Sequence, residues 1–325
     1  MTVRFAVIGC GTAANHIHLP ALRSSGAEVT VFASRSLASS EATCAAWGTG
    51  AVEVRWEDAV GRDDVDAVVI ATPNAQHHNV AMGALTAGKH VLVDKPMACT
   101  VADADEMIAA ANRARRVLVP FQNTRFAAPF AAAAEKVREG AIGDVTGFRV
   151  AFGHAGPQAW APRATWFFES AAAGGGCLID LGVHAIDLVR AVTGDDITHV
   201  SAVLNGQAGD VETDAQLLVR MRAGATGSIH ASWSARPGPD HGLTVVGTEG
   251  TLHLDSRTPL TLVTASGERS RVELPDRTSS PLDEFLAAVS GERAPAVTAA
   301  DGRAAVAVVE AAYRSATTGK LVEVQ

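Results

Sequence analysis

Between residues 3 and 119 short apolar runs alternate with helical stretches, and this alternation restricts the fold more than any other feature of the chain. The runs are residues 3–8, 28–33, 51–54, 67–71, 90–93 and 117–119. Most have little polar alternation, as expected of strands buried on both faces of a parallel sheet. Helical patterns fill 38–47, 77–87 and 101–114 between them. Strand followed by helix, repeated, makes βαβ units, so residues 1–121 are expected to form a doubly wound α/β domain.

The rhythm changes after residue 121. A helix is expected at 129–139, a strand at 145–152 and a second helix at 179–193. Strand-like runs then follow one another at 200–205, 215–221, 227–233, 243–246, 251–254 and 260–264, and helices at 281–290 and 299–317 close the chain. Consecutive strands with short Gly or Asp turns give a mainly antiparallel sheet, so residues 122–325 are expected to form one α+β domain. The length of 325 residues, about twice the usual ~150-residue domain, agrees with that division.

Composition excludes several function classes. With 47% hydrophobic and 19% charged residues the chain has the apolar content for a large core. A formal net charge of −8 does not suit bulk binding to nucleic acid or anionic lipid, so neither partner is expected. The four cysteines, Cys10, Cys44, Cys99 and Cys177, are too dispersed for a disulfide framework or a structural zinc site. No secretory leader is read from Met-Thr-Val-Arg-Phe-Ala-Val-Ile-Gly, and no run of about 18 apolar residues goes uninterrupted, so a cytoplasmic protein is expected.

Three motifs carry chemistry. The first, Gly9-Cys10-Gly11-Thr12-Ala13-Ala14, follows the first strand and opens a helical segment. Gly9 permits a tight turn, Gly11 lets the backbone approach a pyrophosphate, and Ala14 allows close helix–strand packing. At the end of the second strand, where an NAD site usually carries an acid, stand Ser34 and Arg35. A serine donor and a guanidinium suit a ribose 2′-phosphate, so NADP(H) is favoured over NAD(H), which stays possible. A merely solvated arginine is the alternative.

The second motif lies at two strand ends. Thr72-Pro73-Asn74 with His77 follows the fourth strand, and Asp94-Lys95-Pro96 follows the fifth. Ligands of open α/β sheets bind at such carboxyl ends, where Lys95 can polarise a carbonyl; a solvated surface lysine is the other reading. The third motif is Gly174-Gly175-Gly176 with Asp180, His184 and Asp187. In a helix Asp180 and His184 share a face one turn apart, and Asp187 is a second carboxylate neighbour for the imidazole. A carboxylate that orients an imidazole supports general acid–base work, although a helix N-terminal aspartate and a core histidine give the same pattern. His16 and His18, or His77 and His78, lack the spacing of a helical zinc site, and no metal is expected.

Together these blocks resemble the glucose–fructose oxidoreductase, inositol dehydrogenase and rhizopine catabolism (Gfo/Idh/MocA) family. The resemblance rests on Ala71 to Asn74 with His77, on Ala-Gly-Lys-His-Val-Leu-Val-Asp-Lys-Pro ending at Pro96, and on Gly174 to Asp187. Val-Gly-Thr-Glu-Gly-Thr-Leu from Val246 and the helix after Asp301-Gly302 also fit. It implies a Rossmann domain, then an α+β substrate-binding and oligomerisation domain with an open, mainly antiparallel sheet, and a homodimer or homotetramer. It implies hydride transfer between nicotinamide C4 and a carbonyl or secondary alcohol of a sugar, cyclitol or derivative, with keto-sugar reduction favoured. Lys95, Asp180 and His184 fall on the family's catalytic positions. The expected cofactor contacts are Gly9, Gly11, Thr12, Ala13, Ala14, Ser34, Arg35, Thr72, Pro73, Asn74, His77, Asp94, Lys95, Gln122 and Trp166. Substrate candidates are Lys95, Asn123, Arg125, His154, Arg163, Asp180 and His184.

Two departures stand out. Asp94 replaces the usual glutamate, and Phe167 follows Trp166 where an arginine is frequent. An NAD-dependent glycoside hydrolase of the same family and a non-catalytic cofactor or ligand sensor are the alternative functions. The short-chain dehydrogenase relay of Tyr-x-x-x-Lys is absent, because the single tyrosine, Tyr313, is followed four residues later by Thr317.

Overall fold

A computed structural model describes residues 2–236 and 240–325. The six N-terminal strands are β1 (Arg4–Ile8), β2 (Glu28–Ala33), β3 (Ala51–Glu53), β4 (Ala67–Ile70), β5 (His90–Val93) and β6 (Leu118–Pro120). They form one parallel sheet in the order β3-β2-β1-β4-β5-β6. The order reverses between β1 and β4, where crossover helices diverge to opposite faces and leave a crevice at the carboxyl ends. All four residues of β4 are buried, which explains an apolar run without alternation. The helices at Leu37–Trp47, His77–Thr86 and Val101–Ala114 lie within a residue of the sequence expectation. Short helices at Leu19–Ser24 and Trp56–Val60 are additional.

The second sheet contains β7 (Val145–Gly153), β8 (Ile197–Asn205), β9 (Asp214–Met221), β10 (Thr226–Ser232), β11 (Asp240–Gly247), β12 (Gly250–Leu254), β13 (Thr261–Thr264), β14 (Arg269–Arg271) and β15 (Val322–Glu323). Its order is β14-β13-β12-β11-β7-β10-β9-β8-β15, antiparallel throughout except for β7 against β10. The mainly antiparallel expectation therefore holds, with one parallel pair at the centre. In β9 buried and exposed residues alternate from Ala215 to Met221, so one face carries the core and the other stays open. The exposed Arg-Ser-Arg of β14 and the two-residue β15 have no apolar pattern to announce them.

The chain divides into two units that differ from a single cut after residue 121. The first comprises Met1–Gln122 and Ser280–Arg303, the second Asn123–Ser279 and Ala304–Gln325. The expectation that all of 122–325 is one domain is thus corrected for Ser280–Arg303. Helix Pro281–Val289 buries Phe285 completely, 5.9 Å from Phe5 of β1. Its Glu284 carboxylate, also buried, accepts from Arg293 and from the Ala296 N–H, fixing the segment. Ser170–Thr193 is long and apolar enough to cross a membrane, but 78% of its most apolar window is buried inside the fold.

The first sheet also carries a pH-sensitive contact. His90 Nδ1 accepts the Val117 N–H at 3.0 Å, so this nitrogen must be unprotonated. Burial first, and then Arg116, push the His90 pKa below its ordinary value of 6.5. A lowered histidine pKa means that the unfolded chain takes up the proton first, so stability is full above about pH 6.5 and falls on acidification. Melting temperature measured from pH 8 to pH 5 should decline through the ordinary histidine range, and less steeply in His90→Leu. An identical slope in the variant would exclude His90 as a source.

Candidate active site

In the first unit the cofactor candidates gather at the carboxyl edge of the parallel sheet. Gly9 follows β1 with φ +95°, and its N–H bonds to Ala33 O at 2.8 Å. A Cβ there would lie 2.4 Å from Ala71 O, so only glycine lets the ends of β1 and β4 approach this closely. Nothing lies within 4 Å of a Cβ built on Gly11, which leaves that backbone open from outside. The helix begins at Thr12, and its first turn, with Ala13 and Ala14, directs N–H groups outward as an anion site requires. Ala14 is fully buried. Asn15, which the motif did not single out, donates to Cys10 O and Gly11 O at 3.2 and 2.9 Å and to Thr43 at 3.2 Å, bracing the loop.

Ser34 and Arg35 lie just beyond β2. Ser34 Oγ accepts the Ser36 N–H at 3.4 Å, and Ser36 caps helix Leu37–Trp47 through the Ser39 N–H. Arg35 is exposed, with no hydrogen bond or ion pair among the described residues. Among the described residues, Thr72 Oγ1 at the end of β4 is buried without a hydrogen-bond partner, as are both polar atoms of the Gln122 amide at the end of β6. Buried polar atoms without partners are costly unless a ligand completes them. These atoms, the open Gly11 and the helix start together fit a dinucleotide.

His77 has a different place from the one expected. It is completely buried, with Nδ1 2.8 Å from Pro96 O and Nε2 2.9 Å from Thr72 O. Both nitrogens are turned to main-chain carbonyls, so His77 clamps two loops together and presents no group to a cofactor. Burial pushes its pKa down, against the pull of Pro96 O, Asp94 and Thr72 O. Pro73 leads into a short turn in which Asn74 is buried. Lys95 is half-buried and precedes a cis bond to Pro96, and its N–H donates to Asp94 Oδ1 at 2.8 Å. Burial raises the Asp94 pKa, but the His18 contact and the nearby charges of His18, Lys95 and His77 outweigh it and hold the carboxyl at about 2.

In the second unit the segment expected to be one helix is a π turn, Leu178–Gly182, continued by the α-helix Val183–Thr193. Val183 N–H reaches back five residues to Leu178 O, inserting one extra residue into the ladder. Asp180 lies in the π turn and His184 in the α-helix. Asp180 is 4% exposed; its Oδ2 accepts Trp233 Nε1–H at 3.0 Å and lies 3.8 Å from His154 Nε2. His154 Nδ1 accepts the Gly156 N–H, which leaves the Nε2 side of the ring toward Asp180. His184 Nδ1 is 2.9 Å from Thr124 Oγ1, and its ring stacks with Phe152 at 6.3 Å. Phe152 also stacks with His241 at 4.7 Å. Thr124, Trp233 and His241 come from remote segments, and nothing in the sequence marks them.

The glycine triplet seats this segment. A Cβ on Gly176 would lie 1.9 Å from Glu212 O. Glu212 in turn accepts the N–H groups of Gly176 and Leu178 at 3.0 and 2.9 Å and the Tyr313 hydroxyl at 3.0 Å. A carboxylate thus caps the amino end of the turn that carries Asp180.

Other candidates disperse. Asp187, the second expected neighbour of His184, is fully buried and gripped through both oxygens by Arg125, which is 11% exposed. The Arg125 guanidinium is committed to that pair, which corrects its place among the substrate candidates. Trp166 stacks on Phe167 at 3.9 Å. Asn123 and Arg163 are exposed, and their side chains make no hydrogen bond among the described residues. Among the described residues no three His, Cys, Asp or Glu side chains are placed to hold a metal ion.

Residues 3–121 match the model of an oxidoreductase family with an NAD-binding Rossmann fold, and residues 130–253 match the GFO/IDH/MocA C-terminal domain. Over 99% of this chain and 98% of the relative, the sequence is 32% identical to a 1,5-anhydro-D-fructose reductase of Ensifer adhaerens. Among solved structures, GenD2 from gentamicin A biosynthesis, in complex with NAD, superposes with a TM-score of 0.87 at 31% identity, covering 100% of this chain and 97% of that one. An aldose-aldose oxidoreductase from Caulobacter crescentus gives 0.88 at 27% identity over 99% and 100% of the two chains. The arrangement of the sheets, the phosphate loop and these matches establish that the chain belongs to the GFO/IDH/MocA oxidoreductase family.

Proposed function

We propose that the chain is an NADP(H)-dependent oxidoreductase of a sugar, cyclitol or derivative, working chiefly as a keto-sugar reductase. The observation that carries the reading is the pairing of His184 with Thr124, which engages Nδ1 and sets the ring's orientation. With Nδ1–H donating to Thr124 Oγ1, the proton that protonated His184 gives up is the one on Nε2. A bound nicotinamide supplies the hydride at C4. Lys95 holds the substrate oxygen and balances its growing negative charge. His184 gives its Nε2 proton to that oxygen and becomes neutral with its Thr124 bond intact. Asp180, anchored by Trp233, sets a fixed negative charge one turn before the imidazole. The names of the reductase and aldose oxidoreductase relatives support a sugar-like substrate.

The exposed, unengaged Arg35, with no acid beside it, supports the choice of NADP(H). A charge-assisted contact to a 2′-phosphate is worth about 1.5–3 kcal/mol, so Arg35→Ala should raise the Kd for NADPH by roughly ten- to a hundredfold and leave that for NADH within about twofold. Equal weakening of both would remove the 2′-phosphate assignment. Turnover is tested by NADPH consumption with a panel of keto-sugars and keto-cyclitols that includes 1,5-anhydro-D-fructose. No oxidation of either cofactor, with release of sugar from an aryl glycoside, would replace the reductase by a hydrolase.

A further inference from the structure

One buried histidine of the first unit is not used by this chemistry. Residues Ala14–His18 form a π turn closed by Leu19 N–H on Ala14 O, five residues back. Pro20 follows and has no N–H for the His16 carbonyl, so the α ladder cannot run through this point. His16 and Ile17 face solvent, whereas His18 is turned inward and only 2% exposed. Its ring meets Phe121 edge-on at 4.5 Å. Among the described residues neither ring nitrogen makes a hydrogen bond, and Nε2 lies 3.3 Å from Asp94 Oδ2, at ion-pair distance but off the hydrogen-bonding line. A side chain there for packing alone would gain nothing from two buried nitrogens, which cost about 1–3 kcal/mol when left unsatisfied.

Asp94 makes the second half of the link. Its Oδ1 accepts the main-chain N–H of Lys95 at 2.8 Å, while Oδ2 faces His18. The carboxylate therefore connects the helix that follows the phosphate loop with the backbone that carries Lys95. The other ionisable groups acting on Asp94 are Lys95 itself and the buried His77.

The geometry points to His18 as a positioning residue: through Asp94 it fixes the main chain at Lys95 and couples that lysine to the phosphate-binding helix. The functional half of this inference rests on the proposed role of Lys95; the structural half does not. Amide hydrogen exchange at Lys95, followed by NMR in the full-length protein without cofactor, reads the Asp94 bond directly. His18→Leu should speed exchange at Lys95 about tenfold, the equivalent of one lost hydrogen bond, and leave His90 to Val93 unchanged. His18→Gln, which keeps a donor, should recover most of the protection. In an Asp94→Asn background His18→Leu should add nothing. Unchanged exchange at Lys95, or no recovery with glutamine, would overturn the link.

Turnover with NADPH and 1,5-anhydro-D-fructose then separates the two failures. His18→Leu should lower kcat about tenfold with the KM for the sugar within twofold, as small displacements of a reacting group do. If Lys95→Ala keeps full turnover, the catalytic reading falls and takes the functional half with it. If Lys95→Ala is inactive while His18→Leu keeps its kcat, only the positioning role falls.

Discussion

Alanine at Lys95 or at His184 is expected to lower turnover by about 10²–10⁴-fold, with NADPH affinity changed by less than about twofold. Each residue has a separate task in the proposed reaction. Lys95 follows β5 at the carboxyl edge of the parallel sheet, and its backbone is held by Asp94. Removing its ammonium removes a charge that matters most as the substrate oxygen becomes negative, so kcat should suffer more than KM. His184 is held through Nδ1 by Thr124, and alanine deletes the proton donor altogether. Thr124→Val should retain part of the rate, because the ring stays but loses the bond that selects its tautomer. Stopped-flow and steady-state kinetics with NADPH check all three variants. Full turnover in either alanine variant refutes that residue's role.

Arg125→Met is expected to cost about 3–5 kcal/mol of stability, because it strands the fully buried Asp187 carboxylate without its counter-charge. The double variant Arg125→Met with Asp187→Leu should recover most of that loss, since an apolar pair of similar volume needs no compensating charge. Urea unfolding midpoints of the single and double variants make the comparison. The result also decides between two uses of Arg125. An arginine that served the substrate would raise KM on removal and leave the midpoint nearly unchanged, and the double variant would then show no recovery.

The legibility of this chain differs between its parts. The parallel sheet was readable because strands buried on both faces leave apolar runs, and β2 and β5 match the expected runs residue for residue. The phosphate loop was readable because a turn that must bring Gly9 against Ala71 accepts no other residue. Asp180 and His184 were picked out as candidates by their four-residue spacing, although a π turn interrupts the single helix that spacing implied. The partners of these groups were not. Thr124 lies 60 residues before His184, and Trp233 lies 53 residues after Asp180; neither distance leaves a local pattern. His77 and Arg125 looked like site residues because their chemistry is that of site residues, yet burial turned one to main-chain carbonyls and the other to Asp187.

The return of Ser280–Arg303 to the first unit was hidden for a related reason. Its helix has the amphipathic pattern of any packed helix, and periodicity states that a face is buried without naming the surface that buries it. By itself, then, the sequence determined the longer elements, the class of each sheet and the glycine at closest approach in the first motif, since these follow from local sterics and from the period of apolar residues. Only the tertiary structure decided which polar groups were satisfied and which were not: Thr72 and Gln122 without partners among the described residues, Asp187 taken by Arg125, and His18 set against Asp94. Those outcomes depend on distances between segments far apart in the chain, where hydrogen bonds and charges act over a few ångströms and sequence spacing carries no information.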